Sequence, residues 1–331
     1  MPRVVVISPP FPSHAQPMPV LAGALACRDR LARHLVHVVS AVPAPPAGTA
    51  DTTLGEGTAG TASERVGRPE GSGTPGHQQE VLMAHPPAPA PGEPLSRAAP
   101  HEIARPLFRQ FWDDVVLLHW PVAPGAVAHH FPEGTRPDVV GAHTYVGLVF
   151  FRMRGLALGR GPALPVVGSF TEVNVRLYSV DEEGRRGVVF RTLDCERLLP
   201  TVVARSVWRL PYHWASTRSL HFGDRLLFTT RRRRIRGPVS RVWIARSERP
   251  YVPGELDDFL TARWGLHARA WGRTYFWPVH HAPWTFREVA LLSLDDQLVE
   301  AATRLQVAAR TPASVLYSPG VRVRFGTPTR A

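Results

Sequence analysis

The chain of 331 residues contains no lysine, and all 39 of its basic residues are arginine. One chemical exclusion follows: no amine is available to form a Schiff base with a carbonyl substrate or to act as an amine general base. Arginine cannot stand in, because its guanidinium stays protonated. The abundance of Ala, Gly, Pro and Arg points to a GC-rich coding sequence, which accounts for Arg in place of Lys without a functional cause. Cysteine is scarce as well. Cys27 and Cys195 fall in different halves of the chain, which gives neither a disulfide framework nor a zinc pattern. Cys195 sits in a strand-like run and reads as a small buried hydrophobe. No apolar run is long enough to cross a bilayer, and no basic segment followed by an apolar one opens the chain. A cytoplasmic protein without a membrane partner is therefore expected.

The net charge of +12 is distributed unevenly. Residues 1–100 hold seven Arg and seven acids, which cancel; the rest of the chain holds 32 Arg against 20 acids and carries the whole excess. A basic domain can favour nucleic acid, an anionic membrane or small anions, and charge sign alone does not choose among them.

Three regions differ in composition. Residues 1–42 read as a strand over Val4–Ser8, a Pro-rich turn and a helix-like run from Pro17 to about Val39. Residues 43–104 are dominated by Pro, Ala, Gly, Thr, Ser and Glu. They cannot bury enough apolar surface to offset their ordering entropy, so a disordered linker is expected. Residues 105–326 carry all the tryptophans, from Trp112 onward. Their runs are short, apolar and β-branched or aromatic: 115–120, 143–151, 172–180, 187–193, 206–210, 224–229, 240–245, 273–277, 288–292 and 315–325. Many short strands punctuated by Gly and Pro predict an all-β sandwich or barrel. The helix candidates are few: Pro124–His130, Glu255–Arg263 with acids in its first turn, and Asp295–Arg304 with Ser293 or Asp295 as a cap.

The most informative stretch is Phe170-Thr-Glu-Val-Asn-Val-Arg-Leu-Tyr178. In a strand, successive side chains take opposite faces, so Glu172, Asn174, Arg176 and Tyr178 share one face while Val173, Val175 and Leu177 share the other. The polar row is either the wet face of a half-buried strand or a wall of directional hydrogen-bonding groups turned into a ligand-sized interior.

Two resemblances bear on this choice. Pro9-Pro-Phe-Pro-Ser-His14, followed by Pro17-Met-Pro-Val-Leu-Ala-Gly-Ala-Leu25, resembles the start of family 1 glycosyltransferases, in which a His at the position of His14 is the acceptor base. No donor-domain motif follows, so residues 1–42 are expected to be a strand–helix remnant with His14 inert. The second resemblance rests on Leu118-His-Trp-Pro121, Tyr145-Val-Gly-Leu-Val-Phe-Phe-Arg-Met-Arg-Gly155, the Phe170–Tyr178 row, Leu210-Pro-Tyr-His-Trp-Ala215, His280-His-Ala-Pro-Trp284 and Tyr317-Ser-Pro-Gly-Val-Arg-Val323. These phrases, in order from about Arg105 to Phe325, resemble the YqjF-like DUF2071 family of the acetoacetate decarboxylase-like superfamily. The resemblance implies a closed, cone-like antiparallel β-barrel with a central cavity and a few short helices. It also implies that Glu172, Asn174 and Arg176 face inward. Superfamily decarboxylases use a lysine nucleophile, which this chain lacks. Thr171 stands where the family more often has a proline.

The expected site then comprises Glu172 as acid or base and Arg176 as anion holder, with Asn174, Tyr178, Arg152, Tyr212, His280 and His281 as ligand contacts. Arg152 and Arg154 share a parity and either join Arg176 at a cationic end or cover apolar surface with their stems. Tyr212 either offers a phenol to the interior or forms a structural corner. His119, in an apolar strand, reads as a hydrogen-bonded core residue. His280 and His281 are adjacent, so they face opposite ways and cannot chelate one metal; no metal or cofactor is expected. Arg231-Arg-Arg-Arg-Ile-Arg236 reads as a solvated hairpin that protects a sheet edge, with Arg232, Arg234 and Arg236 on one face.

The expected function is interior binding of a small, carboxylate-bearing molecule, with acid/base chemistry of the lyase, isomerase or hydrolase kind if the protein is an enzyme. One alternative is a non-catalytic sensor or carrier. The other is binding of an anionic surface or nucleic acid through Arg231–Arg236, although the aromatics that nucleic-acid binding requires are not evident there.

Overall fold

A computed structural model describes residues 92–165, 168–198 and 209–331, within a compact unit that runs from 84 to 331. The expected strand and helix of residues 1–42, with His14 and Cys27, lie outside the described residues, as does most of segment 43–104. The last part of that segment does not behave as the linker expected. Arg97 Nε donates to Asp258 Oδ1 at 2.7 Å, Trp264 Nε1 donates to the Ser96 carbonyl at 3.0 Å, and Ile103 is buried. An ion pair and an aliphatic anchor thus hold residues on the N-terminal side of Arg105 against the barrel.

Among the described residues, thirteen strands form one continuous sheet. They are β1 (Phe108–Val122), β2 (Thr135–Pro137), β3 (Thr144–Leu158), β4 (Phe170–Asp181), β5 (Arg186–Cys195), β6 (Tyr212–Phe222), β7 (Arg225–Arg232), β8 (Val239–Pro250), β9 (Gly265–Ala270), β10 (Arg273–His281), β11 (Arg287–Asp296), β12 (Ser314–Phe325) and β13 (Thr329–Arg330). The short helices that lie wholly within the described residues are α1 (Pro124–Val127), α2 (Glu255–Thr261) and α3 (Leu298–Thr303). Helix α2 starts as its acids require, with Gly254 N donating to Asp257 Oδ2 at 3.1 Å. Helix α3 starts later than expected because β11 continues through Asp296. Its first turn is held by Asp296, whose Oδ2 accepts from Val299 N at 2.9 Å, rather than by Ser293 or Asp295.

The strand order β5-β6-β7-β8-β11-β12-β1-β3-β4 closes on itself through β4–β5 pairing, giving a nine-stranded barrel. It is mixed rather than wholly antiparallel, since β6 lies parallel to β5, as β9 does outside this ring. A parallel neighbour needs a crossover longer than a hairpin turn, and residues 196–211 are long enough to supply one. A second closed ring shares part of this wall. The β9–β10 pair joins β5 at Val188↔Leu266 and joins β12 at Val279–His281. Strands β12, β1, β3, β4 and β5 are therefore common to both rings.

The two faces of that common wall do different things. Val173, Val175 and Leu177 of β4 pack with Leu118, Leu148 and Phe150, and across the nine-stranded ring with Leu226, Phe228, Val242 and Ile244, while Leu298 and Val299 of α3 join the same core. Each fully buried aliphatic side chain of this kind stabilises the fold by about 1.5–3 kcal/mol. The nine-stranded ring is thus filled with hydrocarbon on this face. The polar row takes the opposite face, toward α2, β9 and β10, so its enclosure comes from the second ring rather than from the principal barrel interior.

The arginine hairpin also differs from expectation. Strand β7 lies between β6 and β8 and is not a sheet edge. Arg232 is buried and donates through Nε to Asp194 Oδ2 at 3.0 Å. The unsolvated carboxylate of Asp194 demands a cation, which draws Arg232 inward. Arg234 and Arg236 lie beyond the strand end and are exposed.

Candidate functional site

The register of the common wall assembles the site. Glu172, Asn174 and Arg176 of β4 stand opposite Phe151, Val149 and Gly147 of β3, and Gly147 in turn stands opposite His119 of β1. His119 and Arg176 are thus neighbours across a glycine. A Cβ on Gly147 would lie 2.8 Å from the Tyr178 hydroxyl and 3.2 Å from Arg176 Cγ. The missing side chain is what lets the Arg176 chain and the Tyr178 phenol cross the sheet there.

Glu172 is 3% exposed. Its Oε2 accepts from the Tyr212 hydroxyl at 2.8 Å and its Oε1 from Asn174 Nδ2 at 3.3 Å. Burial raises its pKa from 4.5 to about 7; the Tyr212 and Asn174 hydrogen bonds oppose that rise, and the charge of Asp194 adds to it. The carboxyl group can therefore exchange a proton near neutral pH. Tyr212 is pushed well above its ordinary range, first by burial and then by the Glu172 charge, so it remains a donor.

Arg176 is half-buried. Its Nε donates to the Tyr178 hydroxyl at 3.2 Å, and its guanidinium lies 5.5 Å from the Tyr178 ring centroid. No carboxylate pairs with it among the described residues. The nearby Arg263, whose guanidinium lies 5.1 Å from the same ring, is paired with Asp138, which it shares with Arg186. Arg176 thus differs from Arg263 in having no carboxylate of its own among the described residues.

His119 is completely buried, and neither ring nitrogen has a hydrogen-bond partner. Burial, then the charges of Arg176 and Arg263, drive its pKa well down. The Ser314 backbone lies close enough to oppose that shift without reaching hydrogen-bond geometry. The imidazole is neutral, offering one donor and one acceptor. Asn174 Oδ1 and Trp112 Nε1 are likewise buried without partners. His281 is sandwiched between Trp264 at 4.6 Å and Trp284 at 4.7 Å. Its pKa is lowered to about 4, mainly by burial, with His280 and Arg176 repelling a proton and the Ala282 carbonyl favouring one. Trp112, Phe151, Trp284 and Phe286 extend this aromatic wall beside the Glu172 end.

The expected residues therefore divide. Glu172, Asn174, Arg176, Tyr178, Tyr212 and His281 surround the covered face of the wall. Arg152 does not join them: it stands opposite Thr171, on the other face of the sheet from Phe151 and Glu172, and is exposed. The strand's own alternation is the reason. His280 also turns away, to within 3.0 Å of Arg324 and 3.3 Å of Glu102. Arg154 is exposed and ion-paired with Asp113. Cys195 is buried and sits opposite Glu172. His119, read from sequence as a satisfied core residue, is instead buried with both ring nitrogens free. The signal that could have found it is the glycine in Tyr145-Val-Gly147, which marks a close approach inside an otherwise bulky strand.

The fold and this wall define a closed mixed β-barrel with a buried, partly unsatisfied polar face under a second ring of strands. The chain belongs to the DUF2071 family, described as an uncharacterized conserved protein, whose pattern matches residues 109–322. The uncharacterized protein YqjF of Bacillus subtilis (strain 168) is 27% identical over 180 residues, which cover 54% of this chain and 74% of YqjF. Among solved structures, an acetoacetate decarboxylase from Legionella pneumophila is similar at a TM-score of 0.48 and 13% identity, covering 76% of this chain and 93% of that one. The enduracididine biosynthesis enzyme MppR, in complex with the condensation product of pyruvate and imidazole 4-carboxaldehyde, is similar at 0.45 and 14%, covering 73% and 97%.

Proposed function

We propose that the protein binds a small carboxylate-bearing molecule against the covered face of β4. The observation that carries this reading is the half-buried Arg176, which has no carboxylate partner among the described residues and stands across Gly147 from a buried, unpartnered imidazole. A guanidinium in such a place favours a planar anion, which it can grip through two parallel hydrogen bonds. His119 and Asn174 Oδ1 would serve the ligand's other polar atoms. The Trp112–Trp284 wall suits its apolar part. Glu172, two residues from Asn174, is then the proton donor or acceptor, which gives acid/base chemistry without any amine nucleophile.

Calorimetric titration with a panel of small carboxylates tests the reading. The parent chain binds one or more members, and Arg176→Gln weakens that binding by about tenfold or more. Equal binding by the two proteins would remove Arg176 as the anion holder. The same panel separates an enzyme from a carrier. Glu172→Gln keeps affinity and loses turnover if the site is catalytic. If the parent binds a carboxylate and never converts it, the carrier reading stands.

A further inference from the structure

The β7–β8 turn bears a feature that the carboxylate site leaves unexplained. Arg232 is turned inward to Asp194, but Arg231, Arg233, Arg234 and Arg236 are all exposed. None of the four has a carboxylate partner among the described residues, whereas Arg97, Arg154, Arg185, Arg186 and Arg263 all do. Among these cations stands Ile235, 96% exposed at the apex of the turn. Beside them Trp214 is 41% exposed, with the Arg233 guanidinium 4.7 Å from its ring centroid. Of the neighbouring acids, Asp194 holds Arg232, and Glu196 is turned to Thr171 N at 3.1 Å and does not ion-pair with any of the four. Four cations without ion-pair partners among the described residues thus surround an aliphatic tip.

We propose that this turn docks the protein on an anionic lipid surface. Four unpaired guanidiniums match a layer of anionic headgroups, which attracts each basic group placed near it. Ile235 is placed to enter the acyl boundary, and an indole with a cation stacked on it suits the headgroup level. The aliphatic apex decides between lipid and nucleic acid. Single-stranded nucleic acid is gripped by aromatic faces on which bases stack, and an isoleucine at the tip of a turn gives no such platform. The expectation of no membrane partner considered spanning segments, and this mode needs none. The cancelling charges of residues 1–100 leave the attraction to this part of the chain.

Sedimentation of the full chain with vesicles tests the proposal, using phosphatidylcholine alone or mixed with phosphatidylserine at physiological ionic strength. Binding is expected only to the mixed vesicles. Changing Arg231, Arg233, Arg234 and Arg236 together to Ser should lower it roughly a thousandfold. Ile235→Ser, which leaves every charge in place, should lower it about fivefold. Both variants should melt with the parent, since all five side chains are in solvent. The proposal falls if the folded parent does not sediment with the anionic vesicles, or if Ile235→Ser binds them as tightly as the parent. It also falls if the four arginines retain duplex DNA or single-stranded RNA on a filter while the vesicles stay bare, which would make the turn a nucleic-acid contact.

Discussion

Glu172 keeps its proton in the folded chain up to about pH 7, whereas an exposed glutamate releases it near 4.5. Between those values the unfolded state binds fewer protons than the folded one, so this group lowers stability as pH rises, by at most about 3 kcal/mol. Glu172→Gln should remove that dependence. In urea unfolding, the variant should gain on the parent from pH 4.5 to 7 and hold a constant difference above that window. His281 runs the other way: its pKa falls from 6.5 to about 4, so its contribution is complete above 6.5 and is lost as pH drops toward 4. Replacing His281 with Gln should flatten the acid side of the same stability curve. Gly147→Ala should cost about 1–3 kcal/mol, because its Cβ meets the end of a phenol that Arg176 holds and the base of Arg176 itself; it should also weaken carboxylate binding, whereas a purely structural glycine would leave affinity untouched. At this scale the sequence was legible wherever the period of two governed, as it did for Glu172, Asn174, Arg176 and Tyr178. His119 was not legible, since its significance arises only when two other strands bring Gly147 and Arg176 beside it.

Elements whose apolar residues alternate or cluster were visible in the sequence, and those that pair by context were not. Strand β6, Tyr212–Phe222, contains Ala-Ser-Thr-Arg-Ser at its centre and exposes Leu220 and Phe222, so no apolar run announces it. Strand β9, Gly-Leu-His-Ala-Arg-Ala, is built largely from good helix formers. Its place is fixed by tertiary bonds: His267 Nε2 lies 3.1 Å from Asp181 Oδ2, and its Nδ1 lies 2.8 Å from Ser179 Oγ, which ties β9 to β4. The parallel course of β6 beside β5 was hidden for the same reason, since it depends on where a crossover returns rather than on any local pattern. One consequence concerns β7. Arg232→Met should destabilise the protein by about 3–5 kcal/mol by stranding Asp194 inside the barrel, and Arg232→Met with Asp194→Leu should recover most of that loss. Denaturant midpoints of the two variants check this, and a double variant no better than the single one would mean that the pair does not act as a unit.

On the scale of the whole molecule, closure of the nine-stranded ring leaves its hydrocarbon interior on one side of β1, β3 and β4 and the candidate site on the other. The barrel class was legible in the short strands and their turns. The second ring was not, because it requires β5 and β12 each to divide between two neighbours. The sheet segment Phe170–Asp181 is in effect a party wall, with a different tenant on each side. Inserting or deleting a single residue between Phe170 and Tyr178 would exchange the tenants beyond that point, driving a carboxylate or a guanidinium into hydrocarbon and valines among the polar groups of the other face. Natural and selected length variation in this protein should therefore avoid that segment and collect in the turns beyond its two ends, and restoring mutations for defects at Glu172 or Arg176 should surface among residues that touch the wall from behind.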